Sequence, residues 1–137
     1  MSEENIAIVR RLTEEGFVGG KIEVIDDLVA ENCVDHDPMP EQPAGREGQR
    51  GVCQMVVSGL SDRTVANHYL VAAGDTVTES WTFHGTHTGD FMGVPATGRQ
   101  IEIRGIEIWR CANGKIVERR GVLDTGAVMQ QLGVVGE

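Results

Sequence analysis

The sequence predicts an α+β fold in which helices pack on one face of an antiparallel sheet. Segments with apolar residues at helical spacing lie in residues 1–60, and segments with period-two alternation lie in residues 63–123. Short turns containing glycine separate the alternating segments. Helices with a single apolar stripe that precede a run of antiparallel strands bury that stripe against the sheet. At 137 residues, the chain has room for one domain, over residues 1–137.

Three helices are predicted ahead of the strands, over residues 3–17, 22–29 and 47–60. Each has apolar residues three or four positions apart, so each is expected to lie against the sheet. Gly19-Gly20 separates the first two helices, and a loop rich in proline and glycine over residues 39–46 precedes the third.

Four strands and a short closing helix are predicted for the remainder of the chain. The strands cover residues 63–73, 76–83, 100–110 and 115–123, and the helix covers residues 125–132. Gly74-Asp75 joins the first two strands, and Asn113-Gly114, which is typical of a two-residue hairpin turn, joins the last two. In the second strand, alternation places four side chains on a common face: Val77, Glu79, Trp81 and Phe83.

The charge balance excludes several classes of partner. The chain has 12 basic and 21 acidic side chains, a net charge of −9 at pH 7, and such a surface repels nucleic-acid phosphates and anionic membranes. No apolar run approaches the ~20 residues of a membrane span, and the N-terminus is acidic where a signal peptide is basic. We therefore expect a cytoplasmic protein that binds neither nucleic acid nor membranes. Its cysteines, Cys33, Cys53 and Cys111, are expected to be reduced core thiols.

The most specific motifs lie in the second half of the chain. Gly-Thr-His-Thr-Gly over residues 85–89 opens a glycine-rich loop, and a proline followed by Thr-Gly-Arg closes it over residues 95–99. Gly-Lys-Ile-Val-Glu over residues 114–118, Asp124, and Gln-Leu-Gly over residues 131–133 complete the pattern. This order and spacing resembles the SnoaL-like polyketide cyclase family, also described as predicted ester cyclases, which has the cone fold of nuclear-transport-factor-like proteins.

The resemblance implies a cone-shaped, curved antiparallel sheet, three N-terminal helices that enclose a pocket, and a short C-terminal helix. It also implies a cyclase that closes a ring in a polyketide-like small molecule by an intramolecular aldol reaction. One carboxyl group can remove the proton next to a carbonyl and later protonate the new alkoxide, so no cofactor is expected. The expected partners are a hydrophobic substrate and further copies of the chain, as a homodimer or homotetramer.

Asp124 is the catalytic residue that the resemblance selects. It lies ten residues after Gly114 and just before the last helix, where cyclases of this family place their general acid/base aspartate. Since burial in an apolar pocket makes a carboxylate a stronger base, we expect Asp124 to face the pocket. An aspartate at this position is equally suited to capping the helix that begins at Thr125, and the sequence leaves both roles open.

Two histidines are further candidates. His36 stands between two aspartates, and the resemblance implies that it faces the cavity as a second catalytic residue that orients a substrate oxygen or tunes Asp124. A polar position at the rim of the sheet is the alternative. His87 lies in the glycine-rich loop, where it is expected to bind substrate as part of a lid. The alternative is that it hydrogen-bonds the backbone of its own loop.

Three large side chains are predicted to line the pocket. Trp81 and Phe91 are assigned to its walls because a flat ligand requires flat apolar partners, and Met92 is assigned with its neighbour Phe91. No metal is predicted, since the spacing of His84, His87 and Asp90 matches no zinc site.

Three charged strand residues, Arg104, Glu107 and Arg120, are also assigned to substrate binding. Because strand side chains alternate between faces, at least two of the three are expected to point to solvent. Arg104 beside Asp124 would resemble the Asp–Arg arrangement of limonene-type epoxide hydrolases, in which an arginine and two carboxylates meet one water. Epoxide hydrolysis and a ligand-binding domain without turnover are therefore the alternatives to a cyclase.

Overall fold

A curved five-stranded sheet forms the framework of the computed structural model, which describes residues 2–134. Its strands are β1 (Val29–Asp35), β2 (Leu60–Ala73), β3 (Thr76–His87), β4 (Gln100–Ala112) and β5 (Lys115–Leu123). Their order is β1-β5-β4-β3-β2, with β1 parallel to β5 and the other neighbours antiparallel. The predicted α+β class is confirmed. β1 precedes the four predicted strands along the chain, so the sheet has one more strand than the sequence analysis predicts.

Helices cover one face of this sheet, which we call the inner face. They are α1 (Ser2–Arg11), which continues as a π-helical segment (Leu12–Val18), α2 (Val24–Leu28), α3 (Gly45–Gly59) and α4 (Thr125–Gln131). Acidic residues in the first turn of α1 and basic residues in its last turn complement the helix dipole. The three N-terminal helices and the closing helix implied by the resemblance are therefore present.

Two irregularities bend β2. Its register with β3 shifts between Ser61 and Thr64 and again between Ala66 and Tyr69. Asn67, inside the second shift, has a positive φ angle of 50°. Because bulges bend a strand and increase its twist, these shifts curve the sheet around its inner face.

A third bulge decides which side chains of β5 face inward. The hairpin turn at Asn113-Gly114 has positive φ angles at both residues, as a two-residue hairpin turn requires. The register then changes from the Cys111–Ile116 pair to the Arg110–Glu118 pair, so Val117 is an extra residue without a register partner on β4. A single extra residue exchanges the two faces of the strand beyond it.

Two apolar clusters pack between the helices and the inner face. One includes Val9, Ile25 and Ile116, and the other, at the end covered by α4, includes Leu60 and Val128. All five of these side chains are almost completely buried. The clusters hold the helices against the sheet at its two ends, and residues of both contribute to the cavity described below.

The cysteines belong to this interior. Cys33, Cys53 and Cys111 are buried and unpaired. Burial raises the pKa of each thiol to about 11, so all three are thiols rather than reactive thiolates at neutral pH. Within residues 2–134, no helix combines the length and apolarity needed to cross a membrane.

The opposite, outer face of the sheet exposes a row of apolar side chains. Tyr69 on β2, Ile106 on β4 and Val122 on β5 share one cross-strand row, with Ser80 of β3 between Tyr69 and Ile106, and they are 64%, 57% and 75% exposed. Val71 and Ile108 lie on the adjacent row, with Thr78 between them. Exposed apolar patches of this kind mark interaction surfaces.

Candidate active site

A cavity of about 350 Å³ lies between the inner face of the sheet and the helices. All three phenylalanines and both tryptophans of the chain line it: Phe17, Phe83, Phe91, Trp81 and Trp109. The remaining aromatic residue, Tyr69, is on the outer face. A chain with few aromatic residues thus concentrates them around one space, at the small end of the roughly 300–1,000 Å³ typical of ligand pockets.

A row of polar side chains crosses the inner face, with one member from each strand. We call it the polar row: Asp35 (β1), Arg119 (β5), Glu107 (β4), Glu79 (β3) and His68 (β2). The register pairs Asp35 with Arg119 and Glu107 with Glu79, so these residues are cross-strand neighbours. Asp35, Arg119 and Glu107 line the cavity, and they form its polar end.

Asp35 is held by four hydrogen bonds. Its Oδ1 accepts from Asp37 N at 3.0 Å and from Arg119 Nη1 at 3.0 Å, and its Oδ2 accepts from Gln42 Nε2 at 3.0 Å and Gln49 Nε2 at 2.9 Å. Burial alone would raise the pKa of Asp35, but the donors around it outweigh burial and the pKa is lowered. Because two carboxylate oxygens have about four acceptor positions, Asp35 is an ionised anchor with no acceptor position left for a ligand.

Arg119 lies between two carboxylates. Its Nε donates to Glu107 Oε2 at 2.7 Å, while Nη1 donates to Asp35 and to the Asp37 carbonyl, and the guanidinium lies 5.9 Å from the Trp109 ring centre. Burial would lower the pKa of Arg119, but Glu107 and Asp35 raise it overall. Within residues 2–134, no group accepts a hydrogen bond from Nη2. This nitrogen is therefore available to an oxygen of a ligand.

Two carboxylates of the cavity retain free acceptor positions: Asp37, whose Oδ2 accepts from Gly121 N at 2.9 Å, and Glu107, the one held by Arg119. Glu107 Oε1 accepts from Trp81 Nε1 at 3.0 Å, and its Oε2 accepts from Arg119. Burial raises the pKa of Glu107; Arg119 lowers it and Glu79 raises it, and the balance remains upward. A carboxylate with a raised pKa is a better proton acceptor than an exposed one.

Two glycines make room for these side chains. A Cβ atom at Gly121 would lie 2.7 Å from Arg119 Nη2 and 3.0 Å from Glu107 Cγ. A Cβ atom at Gly105 would lie 2.6 Å from Trp81 Cη2. The absence of a side chain at these positions lets the guanidinium and the indole lie flat on the sheet.

We expect Gly105→Ala to displace the Trp81 ring and break its hydrogen bond to Glu107. Introducing a methyl group into such a close contact costs about 1–3 kcal/mol of unfolding free energy, which urea denaturation would measure. Gly51→Ala is the matched control, because a Cβ atom there meets nothing within 4 Å and alanine favours the helix. Equal stability of both variants would contradict the proposed packing.

Four of the predicted substrate-binding residues line the cavity: Trp81, Phe91, Met92 and Glu107. Arg104 and Arg120 are exposed on the outer face of the sheet. The expectation that at least two of the three charged strand residues face solvent therefore holds, and the assignment of these two arginines to the cavity is wrong. The alternation of β4 and the bulge in β5 turn them outward.

Asp124 does not lie in the cavity, and the expectation that it faces the pocket is wrong. Its side chain is exposed and caps α4, with Oδ1 accepting from Ala127 N at 3.0 Å. Leu123, the preceding residue, lines the cavity. Because successive strand residues point to opposite faces, the chain leaves β5 with Asp124 directed away from the ligand space.

Neither predicted histidine lines the cavity. His36 is exposed, and its Nε2 lies 3.6 Å from Glu118 Oε1, so the expected inward orientation is wrong. His87 is completely buried; its Nδ1 accepts from Thr97 N at 3.2 Å and its Nε2 donates to the Val94 carbonyl at 3.1 Å. Both ring nitrogens of His87 are thus used to fix the glycine-rich loop rather than to meet a ligand.

Sequence reasoning missed Asp35 and Arg119, the two residues that shape the polar end. Asp35 directly precedes His36, and Arg119 directly precedes Arg120, so each predicted residue is a neighbour of the one that faces inward. Alternation from the buried Cys33 was the signal that could have found Asp35. Alternation across the hairpin selects Arg120 instead of Arg119, because it does not anticipate the extra residue at Val117. Within residues 2–134, no three His, Cys, Asp or Glu side chains are grouped as metal ligands would be.

A curved sheet that is covered by helices and encloses an aromatic cavity places the chain among small α+β proteins with a pocket between sheet and helices. The chain matches the SnoaL-like polyketide cyclase family over residues 7–132 and belongs to that family. No curated protein sequence matches it.

Solved structures with the same fold support this assignment. IdmH from Streptomyces antibioticus, described as a candidate polyketide cyclase, is 34% identical, with a TM-score of 0.77 over 95% of this chain and 99% of that one. TsrD from Streptomyces laurentii is 25% identical, with a TM-score of 0.82 over 94% of this chain and 97% of that one. A candidate polyketide cyclase from Bacillus cereus is 28% identical, with a TM-score of 0.82 over 97% and 83% of the respective chains.

Proposed function

We propose that the protein is a cyclase that closes a ring in a small, mostly apolar polyketide-like molecule by acid/base chemistry of aldol type, without a cofactor. The observation that carries this proposal is the pairing of Glu107, a buried carboxylate with a raised pKa, with the free Nη2 of Arg119 in one cavity. Family membership supports the reaction class, and the aromatic lining supports the substrate class.

The proposed reaction begins with proton removal by Glu107. Its carboxylate takes a proton from the carbon next to a substrate carbonyl, and the C–H electron pair moves into the enolate. Arg119 Nη2 donates hydrogen bonds to the enolate oxygen, where negative charge develops; such fixed donors are a large part of enzymatic rate acceleration. The enolate carbon then attacks a second carbonyl of the same molecule, and the resulting alkoxide takes the proton back from Glu107.

The other members of the polar end position these two groups. Asp35, with all its acceptor positions filled, holds the guanidinium of Arg119 and is itself held by Gln42 and Gln49. Trp81 fixes the carboxylate of Glu107 from the other side. Most of the remaining wall is apolar, and electrostatic interactions beside such a wall are stronger than in bulk solvent.

The experiment that tests this proposal measures exchange of a carbon-bound proton. 2-Tetralone, a small bicyclic ketone, is incubated with the protein in deuterium oxide, and deuterium incorporation next to the carbonyl is followed by NMR. We expect faster exchange with the folded protein than with heat-denatured protein or buffer alone. Binding of the ketone without accelerated exchange would instead identify a ligand-binding domain without turnover.

Epoxide hydrolysis is the second candidate, favoured by the position of Arg119 between Asp35 and Glu107. In that reaction one carboxylate activates a water while a protonated carboxyl group donates to the epoxide oxygen. Asp35 has no free acceptor position and a lowered pKa, which suits neither role. Conversion of a terpene epoxide to its diol by the protein would establish this reaction over ring closure.

We also propose that the outer face forms the contact of a homodimer. The exposed row around Tyr69, Ile106 and Val122 provides an apolar surface for this contact. A homotetramer and a cytoplasmic location stay predictions. We expect light scattering to give twice the chain mass, and Ile106→Lys to give the single-chain mass with an unchanged circular dichroism spectrum. A monomeric natural sequence would contradict the proposal.

A further inference from the structure

Glu79 is a completely buried carboxylate that the proposed reaction does not use. It accepts hydrogen bonds from Thr13 Oγ1 and from Trp109 Nε1, the latter at 2.9 Å. Its neighbour in the polar row, His68, lies with Nε2 at 2.7 Å from the carboxylate. Glu79 does not line the cavity, whereas Thr13 and Trp109 do. Because burying an ionised group costs free energy, a buried carboxylate at this position indicates a role for Glu79.

Glu79 lies directly beside Glu107 on the inner face of the sheet. The two residues are paired directly in the β3–β4 register and both point to the inner face. Directly opposed strand residues have Cβ atoms about 4.5–5.5 Å apart. A carboxylate fixed at that distance in a water-poor interior opposes the ionisation of its neighbour.

Most of the ionisable groups around this pair of carboxylates are acidic. Titratable groups surround Glu107 on the inner face. They are Arg119 on β5, Asp35 on β1, Asp37 after β1, Glu79 on β3, and His68, which lies behind Glu79 on β2. The helices contribute Thr13 and Gln49, which are uncharged, and Glu14, whose Oε2 lies 3.9 Å from His68 Nδ1. Arg119 is shared between Asp35 and Glu107, so no arginine or lysine is left to neutralise Glu79 within this set.

We propose that Glu79 is a positioning residue whose fixed negative charge, held by Thr13, His68 and Trp109, keeps Glu107 ready to accept a proton. The proposal deepens the function given to the cavity and rests on it only for the role of Glu107. The raised pKa of Glu107, to which Glu79 contributes, agrees with the geometry. A purely structural role, in which Glu79 only holds Trp109 and Thr13 in place, is the competing explanation.

The two tryptophans provide a separate signal for each carboxylate. Trp81 Nε1–H donates to Glu107, and Trp109 Nε1–H donates to Glu79, and the chain has no other tryptophan. The ¹H–¹⁵N spectrum therefore contains two indole signals, which Trp81→Phe assigns. Following the Trp81 signal against pH gives the midpoint at which Glu107 gains its proton, and Glu107→Gln should abolish that transition.

Glu79→Gln is the decisive variant, because the amide keeps an acceptor for Trp109 and removes the charge. We expect the midpoint of the Trp81 transition to move to lower pH. Two control variants should leave the midpoint in place. Thr13→Val removes a hydrogen-bond donor to Glu79 but leaves the charge of Glu79, and Asp124→Asn removes a distant, exposed carboxylate. An unchanged midpoint in folded Glu79→Gln would overturn the proposal.

A second variant keeps the test decisive if Glu79→Gln does not fold. Glu79→Met also removes the charge and fills a similar volume with an apolar side chain, so the midpoint should again move to lower pH. A midpoint that stays in place in folded Glu79→Met would refute the proposal. Both measurements are made without substrate, so they test only the effect of Glu79 on Glu107. The proposed reaction is tested separately, by the turnover of Glu107→Gln.

Discussion

Glu107→Gln is expected to slow deuterium exchange into 2-tetralone by about 10²–10⁴-fold, the usual contribution of a positioned proton-transfer group. Glutamine has nearly the shape of glutamate and can still accept a hydrogen bond from Trp81 or Arg119, but it cannot take up a proton at neutral pH. The fold and the affinity for the ketone should therefore change little while the exchange rate collapses. Exchange is measured by NMR, and binding by titration of the same samples.

Asp124→Asn is the matched control for this loss. Asparagine is as good a helix cap as aspartate, so the hydrogen bond to Ala127 N is retained and α4 should remain formed. Because the side chain lies outside the cavity, we expect the exchange rate of this variant to equal that of the natural sequence. The reverse pattern, with Asp124→Asn inactive and Glu107→Gln active, would return the acid/base role to Asp124.

Arg119→Ala is expected to cost about 3–5 kcal/mol of unfolding free energy, the usual effect of removing one partner from a buried ion pair. The substitution leaves Asp35 and Glu107 buried without the cation that they share. It also removes the donor proposed for the enolate oxygen, so exchange into the ketone should be lost as well. Urea denaturation at neutral pH gives the stability difference.

Arg120→Ala is the control, since the neighbouring arginine is exposed on the outer face. Surface substitutions of this kind usually change stability by no more than about 0.5 kcal/mol. Equal losses in the two variants would show that the polar row does not depend on Arg119.

The loss in Arg119→Ala should depend on pH in a defined direction. The folded-state pKa of Asp35 lies below the ordinary 3.8, so its stabilising contribution is complete above that value and is lost as pH falls through the folded pKa. The pKa of Glu107 is raised, so this group already gains its proton at a pH above the ordinary glutamate range. Both carboxyls are neutral in acid, and the difference between Arg119→Ala and the natural sequence should therefore shrink as the pH is lowered.

Local patterns were sufficient for most of the fold but not for the face of β5. Continued without a bulge, the register that pairs Cys111 with Ile116 would pair Glu107 with Arg120, the arginine that sequence patterns assigned to the site. The extra residue at Val117 instead pairs Glu107 with Gly121 and turns Arg119 inward. Nothing in the composition of this segment indicates a bulge, so the choice between two adjacent arginines depended on tertiary structure.

The misplacement of Asp124 had a different cause. Helix capping and proton transfer both require an aspartate, so the residue type could not separate them. The inward direction of Leu123 separates them, because the next residue then lies on the other face. That direction follows from the register of β5, and therefore from the same bulge at Val117.

The concentration of both tryptophans around one chamber has a practical consequence for finding the natural ligand. Indole emission is sensitive to its surroundings, and every emitting tryptophan of this chain borders the same space. Quenching or spectral displacement on adding a metabolite would thus report occupancy directly, with no label attached to either molecule. A library of chemically diverse metabolites can be screened by ultraviolet fluorescence alone, and the compounds that change the emission can then be tested for turnover.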